Sequence, residues 1–359
     1  MSHILSYPLL REFTQEVFVR MGCSLEHADK ASEVLLSADL RGVDSHGVAR
    51  LSGYVRLWEA GRINTRPDMH IVHETPSTAV VDGDGGLGLV VAPFAMEVAL
   101  LKAETAGSGW VSVKNSNHFG IAGYHAMMAL ERDMIGMAMT NASPLVAPTF
   151  AKERMLGTNP IAVAIPAGEQ PAFVADFATT TAANGKLEIL QRKQQQAPYG
   201  WIQDKEGAPS ADPHELRNGG ALLPLGGDRE HGSHKGYCLG AIVDIFSAVL
   251  SGANYGPWAP PFVSFLPLPP DPVGEGLGHF LGAMRVDAFR PAAEFKTHMD
   301  QWIGRFRSAE PVSGEQVLIP GDPERVMEQE RREQGIPLLE PVLKDLQEVA
   351  VKFKLTLNI

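Results

Sequence analysis

The feature that most constrains the fold is a glycine-rich turn between a predicted strand and a predicted helix, in the stretch "VVDGDGGLGLVV". Gly83, Gly85 and Gly88 have the GxGxxG spacing of dinucleotide-binding Rossmann domains. In such a domain an acidic residue ends the second strand, ~20 residues further on, and binds the ribose hydroxyls. Here the corresponding strand, "WVSVKN", ends in Lys114 and Asn115. We therefore predict a tight turn whose backbone angles require glycine, not a dinucleotide-binding loop.

Hydrophobic periodicity divides the chain into a mixed region flanked by two helical regions. The N-terminal region predicts three helices, of which the third begins with Ser45 as its N-cap and ends near Gly61. The middle region alternates strands such as "TAVVDG" and "IGMAMT" with helices, and its hairpin-like start favours a mixed sheet. We predict an α/β fold with a non-Rossmann, mixed-sheet nucleotide-binding domain, residues 69–289. This domain is inserted into a helical domain built from both chain ends, residues 1–68 and 290–359.

A proline-rich segment follows the long predicted helix "HKGYCLGAIVDIFSAVLSG". It carries seven prolines between Pro257 and Pro272, which excludes an α-helix there. We predict a long ordered loop, because loops of this length in compact proteins commonly serve as lids or interface arms.

Composition narrows the class of protein. The 359 residues include 31 Lys and Arg against 42 Asp and Glu, a net charge of -11 without any cationic block. This balance argues against nucleic acid or an acidic membrane surface as a partner. Cys23 and Cys238 are too few for a disulfide framework. The N-terminus lacks a signal-peptide pattern, and no apolar run reaches the ~18–20 residues that span a bilayer. We predict a cytoplasmic protein without a membrane segment.

The stretch "RGVDSHGVARLSGY" carries the first set of reactive side chains. With Ser45 as the N-cap, His46, Arg50 and Tyr54 are spaced four apart and share one helical face. A guanidinium matches the geometry of a carboxylate, and a helix N-terminus lowers the pKa of a nearby imidazole. The set predicts a site for a small 2-oxo or 2-hydroxy acid. The alternative is a surface helix with solvated Arg and Tyr side chains and a capping His.

The stretch "KNSNHFGIAGYHAMM" adds His118, which follows a predicted strand and precedes a helix, where catalytic groups gather in α/β sheets. His125 lies seven residues later. A metal site built from His46, His118 and His125 is conceivable, but the spacing matches no zinc motif. We predict no metal.

The stretch "PLGGDREHGSHKGYCLG" predicts an anion site. Gly226, Gly227 and Gly232 precede a helix that begins near Ser233, and Lys235 lies in its first turn. Exposed backbone amides, a helix N-terminus and a lysine together suit a pyrophosphate. The alternative is a flexible surface turn with one solvated lysine.

Two predicted strand ends also carry polar groups. Thr158 and Asn159 stand in "GTNPIAVAIP", and Asp176, Thr179 and Thr180 stand in "FVADFATTT". By themselves these residues are equally consistent with ordinary turn chemistry.

Five ordered motifs, "RGVDSHGVARL", "NSNHFGIAGY", "TNPIAVAIP", "ADFATT" and "GSHKGY", resemble the type-2 malate/L-lactate dehydrogenase family. This family is unrelated to the Rossmann-type dehydrogenases of the same substrates, and the resemblance covers about residues 8–350. It implies a homodimer that binds NAD or NADP on a mixed sheet, and we favour NAD. For the cofactor, the resemblance assigns Asp176, Phe177, Ala178 and Thr179 to the nicotinamide half, and His234 and Lys235 to the phosphates. It also assigns Gly321 and Asp322 to a turn near the C-terminus that contacts the cofactor.

For the substrate, the resemblance assigns Ser45, His46, Arg50 and Tyr54 to the binding site. It identifies His118 as the second active-site histidine.

The predicted function is hydride transfer between C4 of the nicotinamide and C2 of a small 2-hydroxy acid of the malate or L-lactate type. We favour His118 as the residue that transfers the proton, with His46 as a neutral hydrogen-bond donor. One alternative is NAD(P)H-dependent reduction of a cyclic imino acid by the same clamp. An alternative of another class is a non-redox small-acid lyase or binding protein. Such a protein needs an arginine such as Arg50 to bind the carboxylate, but it needs no groove for a cofactor.

Overall fold

Helices and short strands alternate along the chain. The computed structural model describes residues 2–264 and 266–357. The helices are α1 (Tyr7–Met21), α2 (Leu25–Leu40), α3 (Leu51–Glu59), α4 (Gly88–Ala106), α5 (Ala122–Met127), α6 (Asn184–Lys193), α7 (Ser233–Asp244), α8 (Ala292–Arg307), α9 (Asp322–Gln334) and α10 (Glu340–Phe353). The strands are β1 (Ser2–Leu5), β2 (His70–Glu74), β3 (Thr78–Asp82), β4 (Ser108–Ser116), β5 (Met134–Thr140), β6 (Ile161–Ile165), β7 (Phe173–Phe177), β8 (Ile202–Gln203), β9 (Pro209–Ser210), β10 (Ala221–Leu222), β11 (Leu277–Arg285) and β12 (Ile336–Leu339).

A seven-stranded sheet forms the centre of the middle region, in the order β2-β3-β4-β11-β5-β6-β7. Only β3 and β4 are parallel, and every other neighbouring pair in this sheet is antiparallel. The small alanines and valines of α4 pack on it, which explains the alanine-rich core beneath the sheet. The predicted mixed, non-Rossmann sheet is confirmed, since a Rossmann sheet is mostly parallel.

The two ends of the chain meet in one helical layer. Strand β1 pairs antiparallel with β12, and α10 contacts α1 and α3. Their apolar side chains form a single core that includes Leu10, Phe18 and Leu35 from the start of the chain and Leu343 and Leu346 from its end. Helix α8 instead lies along the edge of the sheet, where its Asp300 accepts hydrogen bonds from three backbone N–H groups of residues 168–170.

The third predicted helix begins later than expected. Two 3₁₀ turns, Asp44–His46 and Val48–Arg50, precede α3, so the prediction that Ser45 is a helix N-cap is wrong. The reason lies at Gly47, whose ψ of -143° is not helical. This conformation lets the Val48 N–H donate to the buried Asp39 carboxylate at 2.8 Å instead of continuing a helix.

Along the chain, α6 and a small three-stranded sheet in the order β10-β8-β9 lie between β7 and α7. Sequence patterns did not predict these strands, because two residues are too few to show alternation. Strand β12 was missed within a region predicted as helix. In the described part of the chain, no helix combines the length and the apolar character that crossing a membrane requires.

Two histidines lie fully buried beneath the loop that follows β4. His279 contacts the Thr140 and Ser116 hydroxyls through its two ring nitrogens, at 2.7 and 2.8 Å. His125 Nε2 contacts the Phe119 carbonyl at 2.9 Å. Burial lowers the pKa of His125 to about 4 and that of His279 to about 3. Both are therefore neutral at physiological pH and serve as structural groups.

Replacing His125 with glutamine is expected to remove part of the protein's acid sensitivity. The native imidazole has a pKa of about 4, whereas an unfolded histidine titrates near 6.5, so the unfolded chain binds more protons between these values. Above pH 6.5, His125 has no pH-dependent effect on the free energy of unfolding. As the pH drops from 6.5 to about 4, His125 lowers the free energy of unfolding by about 3 kcal/mol. Urea unfolding between pH 7 and 4.5 measures it, and a wild-type-to-variant difference independent of pH would contradict the assignment.

Candidate functional site

The structure brings together four of the predicted site residues. His46 and Arg50 lie on the two 3₁₀ turns, Tyr54 lies on α3, and His118 lies on the loop between β4 and α5. The rings of His46 and His118 stack with their centroids 5.6 Å apart. The Tyr54 hydroxyl is 2.6 Å from His118 Nδ1. The predicted sharing of one side by His46, Arg50 and Tyr54 therefore survives the correction of the helix start.

Arg50 is anchored at one end only. Its Nε donates to the Ser45 carbonyl at 2.6 Å, and its guanidinium carbon lies 5.9 Å from the centre of the Phe262 ring. The Ser45 hydroxyl contacts His46 Nδ1 at 2.9 Å. Because Nε is the one Arg50 nitrogen with a hydrogen-bond acceptor among the described residues, the two terminal amino groups stay available for an anionic ligand.

The imidazoles of His46 and His118 are both neutral in this environment. Burial, and then the charge of Arg50, lowers the pKa of His46 to about 4. Burial lowers the pKa of His118 well below its usual value, with smaller effects of His46 and Arg50. The prediction that a helix N-terminus lowers the His46 pKa is wrong about the cause, because α3 begins only at Leu51. His46 and His118 are both half-buried residues, and together with Arg50 and Tyr54 they form a recess in the surface.

The recess continues into a cavity of about 620 Å³. His118 and its neighbour Asn117 line one side, and the proline-rich segment lines the other through residues that include Trp258 and Phe262. Apart from a short 3₁₀ turn at Gly256–Trp258, the described part of this segment has no helix or strand. The segment therefore forms one wall of the candidate site.

The glycine turn supports the His118 loop from below. The N–H groups of Gly83 and Gly85 donate to the carbonyls of Lys114 and Asn115, at 2.9 and 2.8 Å. A Cβ atom at Gly88 would lie 2.1 Å from the Asn117 carbonyl oxygen and 2.5 Å from that of His118. The turn is thus occupied by the protein's own backbone, in agreement with the prediction that it is no Rossmann crevice.

Replacing Gly88 with alanine is expected to destabilise the protein by about 1–3 kcal/mol, because an added methyl group in a closely packed contact forces the backbone to shift. The shift displaces His118, so turnover should fall as well. Gly304→Ala is the matched control, since nothing lies within 4 Å of a Cβ at this helical position. Urea unfolding and turnover test the pair. If Gly88→Ala matches the control in both its free energy of unfolding and its turnover, the contact of Gly88 with the His118 loop is unimportant.

The nicotinamide candidates lie at and beyond the end of β7. Asp176 accepts a hydrogen bond from the Gly123 N–H at 2.7 Å, and the residue is exposed to solvent. Phe177 is 42% exposed, and Ala178 is half-buried. Thr179 is buried, and its N–H and hydroxyl both donate to the Thr158 carbonyl.

Asn159 lies beside this segment and carries an orphaned acceptor. Its amide nitrogen donates to the Gly240 carbonyl at 2.9 Å. Its side-chain oxygen is buried and has no hydrogen-bond partner in the described structure. A buried acceptor without a donor costs free energy, so this atom is suited to a ligand that brings an N–H group.

The predicted anion site has the expected backbone. Gly226, Gly227 and Gly232 all have positive φ, and α7 begins at Ser233. Lys235 is exposed in the first turn. His234 contacts Arg229 at 2.8 Å. Arg229 is a second cation that the sequence analysis did not single out, although its place in the same motif was a signal for it.

Gly321 and Asp322 occupy a different place from the other cofactor candidates. The Asp322 carboxylate accepts from Arg307 at 3.0 Å, from the Ile319 N–H at 3.0 Å and from Arg325. The neighbouring Pro320 carbonyl accepts from the N–H of Val174, near the start of β7. This turn therefore braces the beginning of β7, whereas Asp176 and Phe177 are at its end. Its contact with a cofactor stays a prediction.

Metal binding finds no support in the residues that the structure describes, since no group of three or more His, Cys, Asp or Glu side chains there is arranged to hold an ion. His125 is buried against Phe119, with ring centroids 4.6 Å apart. It therefore does not join His46 and His118 in the recess.

The comparison with protein families decides the identity of the fold. Residues 5–347 match the family model described as malate/L-lactate dehydrogenase. The chain belongs to this family. It is therefore an oxidoreductase of the dehydrogenase type, and the resemblance inferred from its five motifs is confirmed.

Relatives of this dehydrogenase extend over nearly the whole chain. The malate dehydrogenase of Pyrococcus horikoshii is 42% identical over 343 residues, which cover 95% of this chain and 93% of that protein. The malate/(S)-sulfolactate dehydrogenase of Methanothermus fervidus is 38% identical and spans 97% of both chains. Both sequences thus align across the helical layer and the central sheet alike.

Solved structures agree. The malate dehydrogenase of Entamoeba histolytica matches with a TM-score of 0.92 at 34% identity and covers 100% of both chains. A delta1-piperideine-2-carboxylate reductase from Pseudomonas syringae pvar. tomato matches with a TM-score of 0.80 at 27% identity, over 97% of this chain and 100% of that one. The fold is therefore shared with both hydroxy-acid and imino-acid enzymes.

Proposed function

We propose that this dehydrogenase transfers a hydride between C4 of a nicotinamide cofactor and C2 of a small 2-hydroxy acid of the malate or L-lactate type. The observation that carries the proposal is the convergence of Arg50 and His118 in one recess, with the Tyr54 hydroxyl 2.6 Å from His118 Nδ1. Among the two types we favour malate, because the relative at 42% identity is named a malate dehydrogenase.

In this proposal Arg50 binds the substrate carboxylate through its two terminal amino groups. His118 takes the hydroxyl proton on Nε2 during oxidation and returns it during reduction. The Tyr54 hydroxyl accepts from Nδ1–H in both protonation states of the ring, which leaves Nε2 free to take the substrate proton. The hydroxyl's own proton is donated to the His118 carbonyl, 3.5 Å away. Ser45 orients the neutral His46 ring through Nδ1.

The described residues fit a nicotinamide dinucleotide, and we favour NAD over NADP. When bound, the nicotinamide ring accepts or supplies the hydride. Asp176, Phe177, Ala178 and Thr179 are the proposed contacts on its side, and the unpaired oxygen of Asn159 is an acceptor for an amide N–H. The proposed phosphate contacts are His234 and Lys235, at the N-terminus of α7. Gly321 and Asp322, in the turn near the C-terminus, are also proposed to contact the cofactor.

We also propose that the enzyme is a cytoplasmic homodimer. The support for the dimer is an apolar stripe on α7 and on the π-helical turn Ile245–Val249 that continues this helix. Six of its side chains are at least 38% exposed, namely Tyr237, Ile242, Ile245, Phe246, Val249 and Leu250, and exposed apolar patches of this kind mark interfaces. Light scattering after size-exclusion chromatography should give a dimer for the wild type and a monomer for Ile245→Asp. A monomeric wild type would contradict this proposal.

A cofactor titration followed by a substrate panel tests the activity. The protein is titrated with NADH and NADPH, and the oxidation of each is then followed with oxaloacetate, pyruvate, sulfopyruvate and a cyclic imino acid. We expect binding of NADH and the highest kcat/KM with oxaloacetate. Binding of neither nucleotide would contradict the proposed cofactor and favour the alternative of a small-acid lyase or binding protein.

A second candidate is reduction of a cyclic imino acid. It is favoured by the structural match to a piperideine-carboxylate reductase over 97% of this chain. The same arginine clamp and imidazole suit a cyclic imine that carries a carboxylate. A kcat/KM for the imino acid above that for every 2-oxo acid in the panel would select this candidate.

A further inference from the structure

Phe262, in the proline-rich segment, contacts the residues of the proposed chemistry. Its ring centroid is 4.7 Å from that of His118 and 5.2 Å from that of Tyr54, which it meets edge-on. The guanidinium of Arg50 lies 5.9 Å from the same ring centre. One aromatic ring therefore contacts the proposed proton-transfer residue, its hydroxyl partner and the carboxylate clamp.

Three hydrogen bonds to two residues elsewhere in the chain, Ser143 and Arg62, hold the backbone of the segment that carries this ring. The Phe262 N–H donates to the Ser143 hydroxyl at 2.9 Å. Arg62 donates to the carbonyls of Val263 and Leu266, at 3.4 and 2.6 Å. The segment is thus fastened on both sides of the ring, which makes the position of Phe262 a built feature of the fold.

Gly53 provides the space for the ring. A Cβ at this position of α3 would lie 2.7 Å from Phe262 Cε1 and 3.1 Å from its Cζ. The backbone of Gly53 is helical, and glycine in a helix is about 1 kcal/mol less favourable than alanine. Local helix stability therefore does not explain the glycine, whereas the close approach of Phe262 does.

We propose that Phe262 is a specificity-determining residue, which fills the space beside Arg50 and His118 and so limits the size of the group that a 2-oxo acid carries on C3. The inference rests on the proposed function. A substrate held with its carboxylate on Arg50 and its C2 oxygen at His118 lies along this ring, because the ring contacts both residues. The ring also excludes water from the two side chains, which strengthens their interaction with an anionic substrate.

The test compares Phe262→Ala and Phe262→Leu with the wild type on oxaloacetate, 2-oxobutyrate and phenylpyruvate. For Phe262→Ala we expect kcat/KM to fall about 10–100-fold with oxaloacetate and the phenylpyruvate-to-oxaloacetate ratio to rise by at least about tenfold. Leucine should give intermediate values. The pKa of His118 in the pH profile of the free enzyme should also rise, since the ring contributes to its burial beside His46, Arg50 and His279.

Gly53→Ala supplies a second variant in which the ring is displaced but not removed. Alone, it should lower kcat/KM for oxaloacetate about tenfold while leaving thermal stability near that of the wild type. In the Phe262→Ala background it should have no further effect, because its added methyl group then meets no ring. This non-additivity tests the contact between the two residues. The substrate ratio and the pH profile are the readouts that a merely structural role would not change.

The outcomes separate the inference from the proposed function. A wild type that reduces none of the acids with either nucleotide overturns the proposed function, and this inference with it. A wild type that reduces oxaloacetate, with Phe262 and Gly53 variants that keep its substrate ranking and pH profile, overturns the inference alone. Additive effects of Gly53→Ala and Phe262→Ala would also overturn it.

Discussion

Replacing His118 with glutamine is expected to lower kcat by about 10²–10⁴-fold, the range that a positioned general acid–base contributes. Glutamine keeps most of the volume and a hydrogen-bonding group beside Tyr54, but it neither takes nor returns a proton at neutral pH. The measurement is turnover at saturating cofactor and substrate in both directions. Binding of the nucleotide alone should be unaffected, because the nicotinamide candidates lie on and after β7.

His46→Gln is the matched variant, since the two rings stack 5.6 Å apart. It should lower kcat less than His118→Gln, because in our assignment His46 donates a hydrogen bond and transfers no proton. For the wild-type enzyme in the oxidation direction, kcat/KM should be constant above pH 6.5 and fall only in acid. The reason is that the pKa of His118 is lowered and that its neutral form is the base. Near-normal turnover of His118→Gln, or a greater loss in His46→Gln, would reverse the assignment.

Replacing Arg50 with lysine is expected to reduce kcat/KM by about 10²-fold, mostly through a higher KM. Lysine keeps the charge but loses the planar pair of amino groups that binds a carboxylate, and a charged hydrogen bond contributes about 1.5–3 kcal/mol. Leucine should cost more, because it also leaves the substrate anion without a counter-charge in the recess. Steady-state kinetics with oxaloacetate measures both effects.

Arg56→Leu is the control for Arg50. Arg56 lies on α3, six residues after Arg50. It is exposed, and it donates to the Ser52 hydroxyl at 2.7 Å. Its replacement should leave kcat/KM within about twofold of the wild type, as usual for surface substitutions away from a site. Equal losses in Arg50→Lys and Arg56→Leu would mean that overall charge, and not the clamp, binds the acid.

The sequence predicted the mixed central sheet correctly but placed the start of α3 too early. The spacing of His46, Arg50 and Tyr54 was interpreted as one face of an α-helix, and two 3₁₀ turns bring them to the same recess by another route. The difference depends on a long-range contact, the Val48 N–H to the Asp39 carboxylate. Periodicity alone contains no information about such a contact.

The position of Phe262 was equally inaccessible to sequence reasoning. The proline content predicted an ordered loop, but a segment without periodicity does not indicate which of its side chains turns inward. Its place depends on Ser143, Arg62 and Gly53, which lie between about 120 and 210 residues away along the chain. The resemblance to the family predicted that His118 lies with His46, Arg50 and Tyr54 in one site, which residue spacing did not indicate.

The proline-rich wall of the recess also affects the thermodynamics of ligand binding. Each proline fixes φ in the unfolded as well as the folded chain, so the segment has fewer conformations to lose when it becomes ordered. The segment loses its remaining conformational entropy during folding, when it forms its hydrogen bonds with Arg62 and Ser143. An incoming acid therefore meets a preorganised surface, and little of its affinity is spent on ordering the protein.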